Sequence, residues 1–222
     1  MIYRLLQVVL AALFRVVYRP TVLGVGNVPR TGPVIFASNH LSFIDSVVIP
    51  ILAPRPVVFL AKAEYFTGTG LKGAAIRTWF NAIGSIPVNR GDSRAAQAAL
   101  DAALSLLKAG DAFGIYPEGT RSRDGRLYRG HTGVGWLALT AGVPVIPVAL
   151  IGTDRIQPVG ATMPRLHRIT VRFGEPLRFD LARMPAKPAR ARRLATDEVM
   201  DAIACLSGQE RAPGYNESPH QL

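Results

Sequence analysis

The residues with the clearest chemical potential are His40 and Asp45, in the run Asn39-His40-Leu41-Ser42-Phe43-Ile44-Asp45. A sharp turn between them would let the carboxylate hold one imidazole nitrogen and leave the other free to take a proton from a hydroxyl. Such a pair is a base with its orienter, and the hydroxyl it activates could belong to a substrate. A second stretch, Pro117-Glu118-Gly119-Thr120-Arg121-Ser122-Arg123-Asp124-Gly125-Arg126, is a polar loop carrying several arginines. Gly119 permits close backbone approach, and Thr120 and Arg121 can donate to phosphate oxygens. A third, Ile86-Pro87-Val88-Asn89-Arg90, puts at a strand end a guanidinium that matches phosphate bidentately.

Each stretch needs an element to position it. Pro33 to Ser38 is a continuous apolar run that reads as a buried strand, so His40 falls just past its end and near a helix starting around Ser46. Ala112 to Tyr116 is a strand feeding Glu118. Ligand groups of open α/β sheets collect at such carboxyl ends. Further strands are expected at 21–25, 55–61, 86–88, 143–150 and 169–173, and helices over 70–83, 93–108, 131–139 and 191–206. Strands alternating with helices imply a single α/β domain, a mixed and mostly parallel sheet flanked by helices. Pro144 and Pro147 within one apolar strand suggest an edge position or a bulge.

The ends differ from this body. Residues 1–19 read as an amphipathic helix with Ile2, Leu5, Leu6, Val9, Leu10, Leu13, Phe14 and Val17 on one wide face. It either packs on the core or lies in a headgroup layer with its arginines on anionic lipid. Its apolar run between Arg4 and Arg15 is too short to span a bilayer, which takes about 20 residues. The main domain would occupy 20–207, and 208–222, polar with Gly and Pro, reads as a disordered tail.

Composition narrows the partners. Lys and Arg total 26 against 15 Asp and Glu, a formal charge of +11, which favours an anionic membrane surface, a phosphorylated substrate or nucleic acid. The one cysteine, Cys205, excludes an internal disulfide and any multi-cysteine zinc site. His167 and His220 have neither partners nor metal-ligand spacing. Single-strand binders interleave aromatic with basic residues, a pattern not evident over residues 121–129. A basic lipid- or nucleic-acid-binding domain without catalysis would require His40 and Asp45 to be incidental.

Taken together, Asn39-His40-(four residues)-Asp45, Ile86-Pro87-Val88-Asn89-Arg90, Tyr116-Pro117-Glu118-Gly119-Thr120-Arg121-Ser122 and Val143-Pro144-Val145-Ile146-Pro147-Val148 stand in one order. This order resembles the glycerolipid acyltransferase family, and within it the bacterial 1-acyl-sn-glycerol-3-phosphate acyltransferases, over roughly residues 20–175.

The resemblance implies that His40 is the general base and Asp45 its orienter. It implies that Arg90, Glu118, Gly119, Thr120 and Arg121 hold the glycerol phosphate, and that 143–148 lines the acyl or thioester side. The donor would be acyl-CoA or acyl-carrier protein as co-substrate, with no cofactor and no metal. The acceptor would be a lysophospholipid, with another lysolipid or polar-lipid hydroxyl as the alternative. The place of action would be the cytoplasmic face of the cell membrane, peripheral or monotopic, with no nucleic acid involved. Many relatives carry a lysine or arginine before a glycine beyond this loop; here Arg129-Gly130 and His131-Thr132-Gly133 both compete for that place. Backbone amides near Asn39–His40 or near Gly119 are the candidates for oxyanion stabilisation.

Overall fold

The order of elements is α1 (Ile2–Tyr18), β1 (Thr21–Leu23), β2 (Val34–Ser38), α2 (Asp45–Leu52), β3 (Val58–Lys62), α3 (Gly70–Ala82), β4 (Ile86–Val88), α4 (Ser93–Lys108), β5 (Ala112–Ile115), α5 (Gly133–Ala141), β6 (Val145–Ile151), α6 (Thr153–Ile156), β7 (Thr170–Phe173) and α7 (Pro188–Ser207). The structure is a computed structural model that describes residues 2–82, 85–88, 93–158, 160–161, 163–184 and 187–216. The strands form one sheet in the order β1-β7-β6-β2-β5-β3-β4. All neighbours run parallel except β6 and β7.

β2 lies at the centre, and every residue in it is buried. Side chains of a strand alternate between the two faces. Val34 and Phe36 accordingly enter one core layer, with Ala11, Phe14, Val48, Ile49 and Ile156 from α1, α2 and α6. Ile35 and Ala37 enter the other, with Ala103, Leu137 and Val199 from α4, α5 and α7. A central parallel strand covered on both sides must be apolar on both faces, which is why it reads as an unbroken run. Full burial of Phe36 alone contributes about 1.5–3 kcal/mol.

The prolines of one strand suggested an edge or a bulge, and the structure has the bulge. β6 is interior, pairing with β2 on one side and β7 on the other. Val148 pairs with Phe173 and Val145 bridges Leu177, so the segment beyond β7 carries one more residue than β6 does over that interval (177 − 173 against 148 − 145). Pro147 faces that irregularity, accepting from the Gly174 N–H at 2.8 Å and needing no N–H of its own. The last helix begins at Pro188 rather than Ala191, because proline at the first turn lacks only a donor that would be unpaired anyway. Its stripe of Ala191, Ala195, Val199, Met200 and Ile203 is buried, and a Cβ at Gly135 of α5 would overlap the Arg192 carbonyl, so the two helices cross closely.

Gly208, at φ 68°, ends α7 in the left-handed conformation. The chain then does not dangle. Leu127 N–H donates to the Glu210 carbonyl (2.8 Å) and Ala212 N–H to the Leu127 carbonyl (2.9 Å), a short parallel pairing that holds residues 208–216 on the body. The expected disordered tail is therefore packed as far as Asn216, because backbone donors of the loop after β5 find their acceptors in it; 217–222 lie outside the described residues.

α1 packs on the core by one face and leaves the other open. Ala11 and Phe14 are buried, with Phe14 stacked on Tyr18 at 4.5 Å, while Val8, Val9, Leu13, Val16 and Val17 are exposed. No described helix is long and apolar enough to cross a membrane.

Candidate active site

His40 follows the carboxyl end of β2, and Asp45 is the first residue of α2. The turn between them is closed by the aspartate itself. Its Oδ2 accepts from His40 Nδ1 at 2.9 Å, from Leu41 N–H at 2.7 Å and from Ser42 N–H at 2.8 Å. The carboxylate is fully buried and the imidazole nearly so, at 14% exposure. Nδ1 is therefore the protonated nitrogen, and Nε2 keeps its lone pair for a substrate proton. Tyr116, from the end of β5, lies flat against the imidazole with ring centroids 3.8 Å apart and planes 8° apart. Burial, and then the charge of Asp45, holds the Tyr116 hydroxyl well above its ordinary range, so the phenol stays neutral. Its oxygen is hydrogen-bonded to Ser46 at 3.2 Å. The ring plane of the base is thus fixed by a wall as well as by its acceptor.

The loop after β5 folds over the same place. Glu118 is fully buried, and its two oxygens accept backbone N–H groups, from His40 at 3.2 Å and from Tyr128 at 2.9 Å. Burial drives its carboxyl up from 4.5 to about 7, against the pull of those two donors. Glu118 thus sets one oxygen on each of two main-chain N–H groups at the floor of the site. Gly119 turns back at φ 74°, with its N–H on the Tyr116 carbonyl at 3.0 Å. Thr120 is half-buried and Arg121 exposed, so both side chains keep surface open to a ligand. Ser122 N–H then donates to the His40 carbonyl at 2.8 Å, so the loop is bonded to His40's own main chain on both sides of its Cα. Asp124 stiffens the turn beyond, accepting from Ser122 Oγ, Arg126 Nε and the Tyr128 hydroxyl.

Arg90 lies outside the described residues. The structure brings together the other expected residues, and it adds several that spacing did not single out. Asn39 spans β2 and β6, giving its Nδ2 to the Leu150 carbonyl (2.9 Å) and taking the Leu150 N–H (2.8 Å), so the residue before the base is clamped across the sheet. Its Nδ2 also reaches Gln209 Oε1 at 2.7 Å. His131 backs onto the loop: its N–H donates to the Pro117 carbonyl at 2.8 Å, and a Cβ on Gly119 would lie 3.1 Å from its Cδ2. The advance signal for Asn39 and Tyr116 is adjacency, to the histidine and to the Pro-Glu-Gly run, while His131 stands in the sequence as a competitor for the basic position beyond the loop.

The fold is that of an α/β domain with a buried aspartate on a histidine and a glycine-turned loop at the carboxyl ends of parallel strands, an arrangement that can support base chemistry on a hydroxyl. The family model described as Acyltransferase matches residues 19–151, and the chain belongs to that family. It is 34% identical over 146 residues to the chloroplast 1-acyl-sn-glycerol-3-phosphate acyltransferase of Brassica napus, covering 65% of this chain and 40% of that protein. It is 27% identical over 164 residues to the 1-acyl-sn-glycerol-3-phosphate acyltransferase of Bacillus subtilis, covering 72% and 75%. The chain thus spans about two fifths of the length of the plant relative. Among solved structures it resembles the 1-acyl-sn-glycerophosphate acyltransferase PlsC of Thermotoga maritima, with a TM-score of 0.66 and 26% identity over 84% of this chain and 71% of that one.

Proposed function

We propose that this protein transfers a fatty acyl group from an acyl thioester, on coenzyme A or acyl-carrier protein, to the sn-2 hydroxyl of 1-acyl-glycerol-3-phosphate, giving phosphatidic acid. The observation that carries the reading is the His40 imidazole, held through Nδ1 by a buried aspartate and walled by Tyr116, beside a loop whose Thr120 and Arg121 face outward. The reading is supported by the names of the relatives reported above.

His40 Nε2 takes the acceptor's hydroxyl proton as its oxygen bonds to the thioester carbonyl carbon. Asp45 Oδ2 stabilises the imidazolium that forms. The tetrahedral adduct then expels sulfur, the C–S bond breaks, and the imidazolium returns its proton to the leaving thiolate. No acyl-enzyme and no metal is needed, since the thioester is already activated and positioning plus base catalysis suffice. Thr120, Arg121 and Arg90 are the donors to the acceptor's phosphate, and Glu118 positions His40 from below. The outer face of α1, with Val9, Leu13 and Val16 exposed, rests on an anionic bilayer at the cytoplasmic face of the cell membrane, where a lysophospholipid acceptor resides.

The test is transfer of a labelled acyl group from acyl-CoA, and separately from acyl-carrier protein, to lysophosphatidic acid dispersed in anionic vesicles. The expected result is product with the wild type and none with His40→Ala. Product from both proteins would overturn the mechanism. Product only with an uncharged acceptor would overturn the assignment of the phosphate.

A further inference from the structure

The segment after α7 lies beyond the residues matched by the family model, yet its contacts converge on the active-site loop. Gln209 bridges both sides of the site, with Oε1 taking Asn39 Nδ2 at 2.7 Å and Nε2 donating to the Gly125 carbonyl at 2.7 Å. Arg129 N–H donates to the Gly214 carbonyl at 2.9 Å. Asn216 Nδ2 donates to the Arg121 carbonyl at 3.1 Å. The Tyr215 ring stacks on His131, centroids 4.9 Å apart and planes 18° apart, with the Arg129 guanidinium 5.3 Å from its centroid.

Tyr215 is 45% exposed and fills no core. A ring left so open contributes little to folding by burial. What it does is hold the imidazole of His131 edge-on against Gly119, in the turn whose next residues, Thr120 and Arg121, are the free donors of the site. Arg193 completes the surround, bonded to the Gly130 carbonyl at 2.7 Å and paired with Asp197 at 2.6 Å.

We propose that residues 208–216 form a fixed strap of the acceptor site, in which Tyr215 is a positioning residue acting through His131 and Gln209 one acting through Asn39. The proposal rests on the acyltransferase reading for its kinetic consequence. The strap holds the loop residues that meet the acceptor's phosphate, so its loss weakens acceptor binding and leaves the chemical step at His40 largely intact.

The experiment compares wild type, Tyr215→Ala, Tyr215→Phe and Gln209→Ala in the full chain. Lysophosphatidic acid is varied at saturating acyl donor, and thermal unfolding is followed in parallel. Tyr215→Ala is expected to raise KM for lysophosphatidic acid by about tenfold, the scale of one lost aromatic pair, with kcat and the melting temperature nearly unchanged. Tyr215→Phe keeps the stack and recovers most of the affinity. Gln209→Ala raises the same KM. Unchanged kinetics in Tyr215→Ala, or a loss of activity that merely follows a loss of folding, would overturn the strap.

A second readout does not depend on turnover. Titration of the His131 ring by NMR moves its midpoint upward in Tyr215→Ala, because burial, and then the charge of Arg193, holds the imidazole below its ordinary value and the variant exposes it. If wild type fails to acylate lysophosphatidic acid but the His131 midpoint still moves, the acceptor assignment has failed and the strap stands. If the midpoint does not move, the strap has failed.

Discussion

Asp45 Oδ2 lies 2.9 Å from His40 Nδ1 and also accepts the N–H groups of Leu41 and Ser42, so one oxygen atom both closes the turn and sets the base. An amide at this position can still accept the two backbone bonds, but it then offers the imidazole no charge and a less certain tautomer. Asp45→Asn is expected to lower kcat by about 10³–10⁴-fold, the scale seen when a histidine base loses its carboxylate orienter, while circular dichroism and melting stay near wild type. Rates within about tenfold of wild type in a folded variant would remove Asp45 from the mechanism.

His40→Ala deletes the base and one face of the stack with Tyr116, a pair worth about 0.5–1.5 kcal/mol. Transfer is expected to vanish, with a melting temperature lowered by only a few degrees, of the order such an energy implies. Labelled-product assays and a melting curve on the same preparation check both halves.

Glu118 couples the site to pH through stability. Its carboxyl titrates near 4.5 in an unfolded chain and near 7 when buried in the fold. Between those values the folded protein binds a proton that the unfolded chain does not, so this group's contribution is fully present below about 4.5 and is lost as pH rises through about 7. Denaturation midpoints measured from pH 5 to 8 are expected to fall with pH in the wild type and to lose that component in Glu118→Gln. The same variant places an amide N–H against the His40 or Tyr128 N–H, leaving one buried donor unpaired at about 1–3 kcal/mol, and so also loses activity.

Gly119→Ala tests the turn. At φ 74° a side chain costs about 1–2 kcal/mol, and the new Cβ would lie 3.1 Å from His131 Cδ2. The turn must shift to relieve both, and Thr120 and Arg121 shift with it. The expected effect is a raised KM for lysophosphatidic acid that exceeds any change in KM for the acyl donor.

The two faces of α1 separate by substitution. Phe14→Ala removes a buried, stacked ring and is expected to destabilise the fold by about 3 kcal/mol. Leu13→Glu with Val16→Glu alters side chains that are 59% and 73% exposed, so folding stays near wild type while co-sedimentation with anionic vesicles drops. Equal sedimentation of that variant and the wild type would place the membrane contact elsewhere.

The amino-acid sequence by itself determined what local chemistry can determine. β2 was legible because a parallel strand covered on both faces has to be apolar throughout, and Val34, Ile35, Phe36 and Ala37 are. His40 and Asp45 were legible because a carboxylate can cap the turn that precedes its own helix, so the pair assembles within one short stretch. At Gly119 the sequence reads as close backbone approach; the left-handed turn at φ 74° came from the structure, where glycine adopts a positive φ at little cost. Only the tertiary structure decided the rest. The bonds of Glu118 to the His40 and Tyr128 N–H groups were not readable, because a carboxylate's partners are set by where the chain folds back and not by its neighbours in sequence. The proline-bearing strand reads as an edge or a bulge, and its pairing with both β2 and β7 decides for the bulge that receives Pro147. Residues 208–216 read as a tail because they bury too little apolar surface to order themselves; they are held by backbone and side-chain bonds to a loop some eighty residues earlier, such as Leu127 to Glu210 and Arg129 to Gly214. Hydrogen bonds between distant segments leave no periodic trace in either one, and in this protein they are what joins His40, the loop after β5 and residues 208–216.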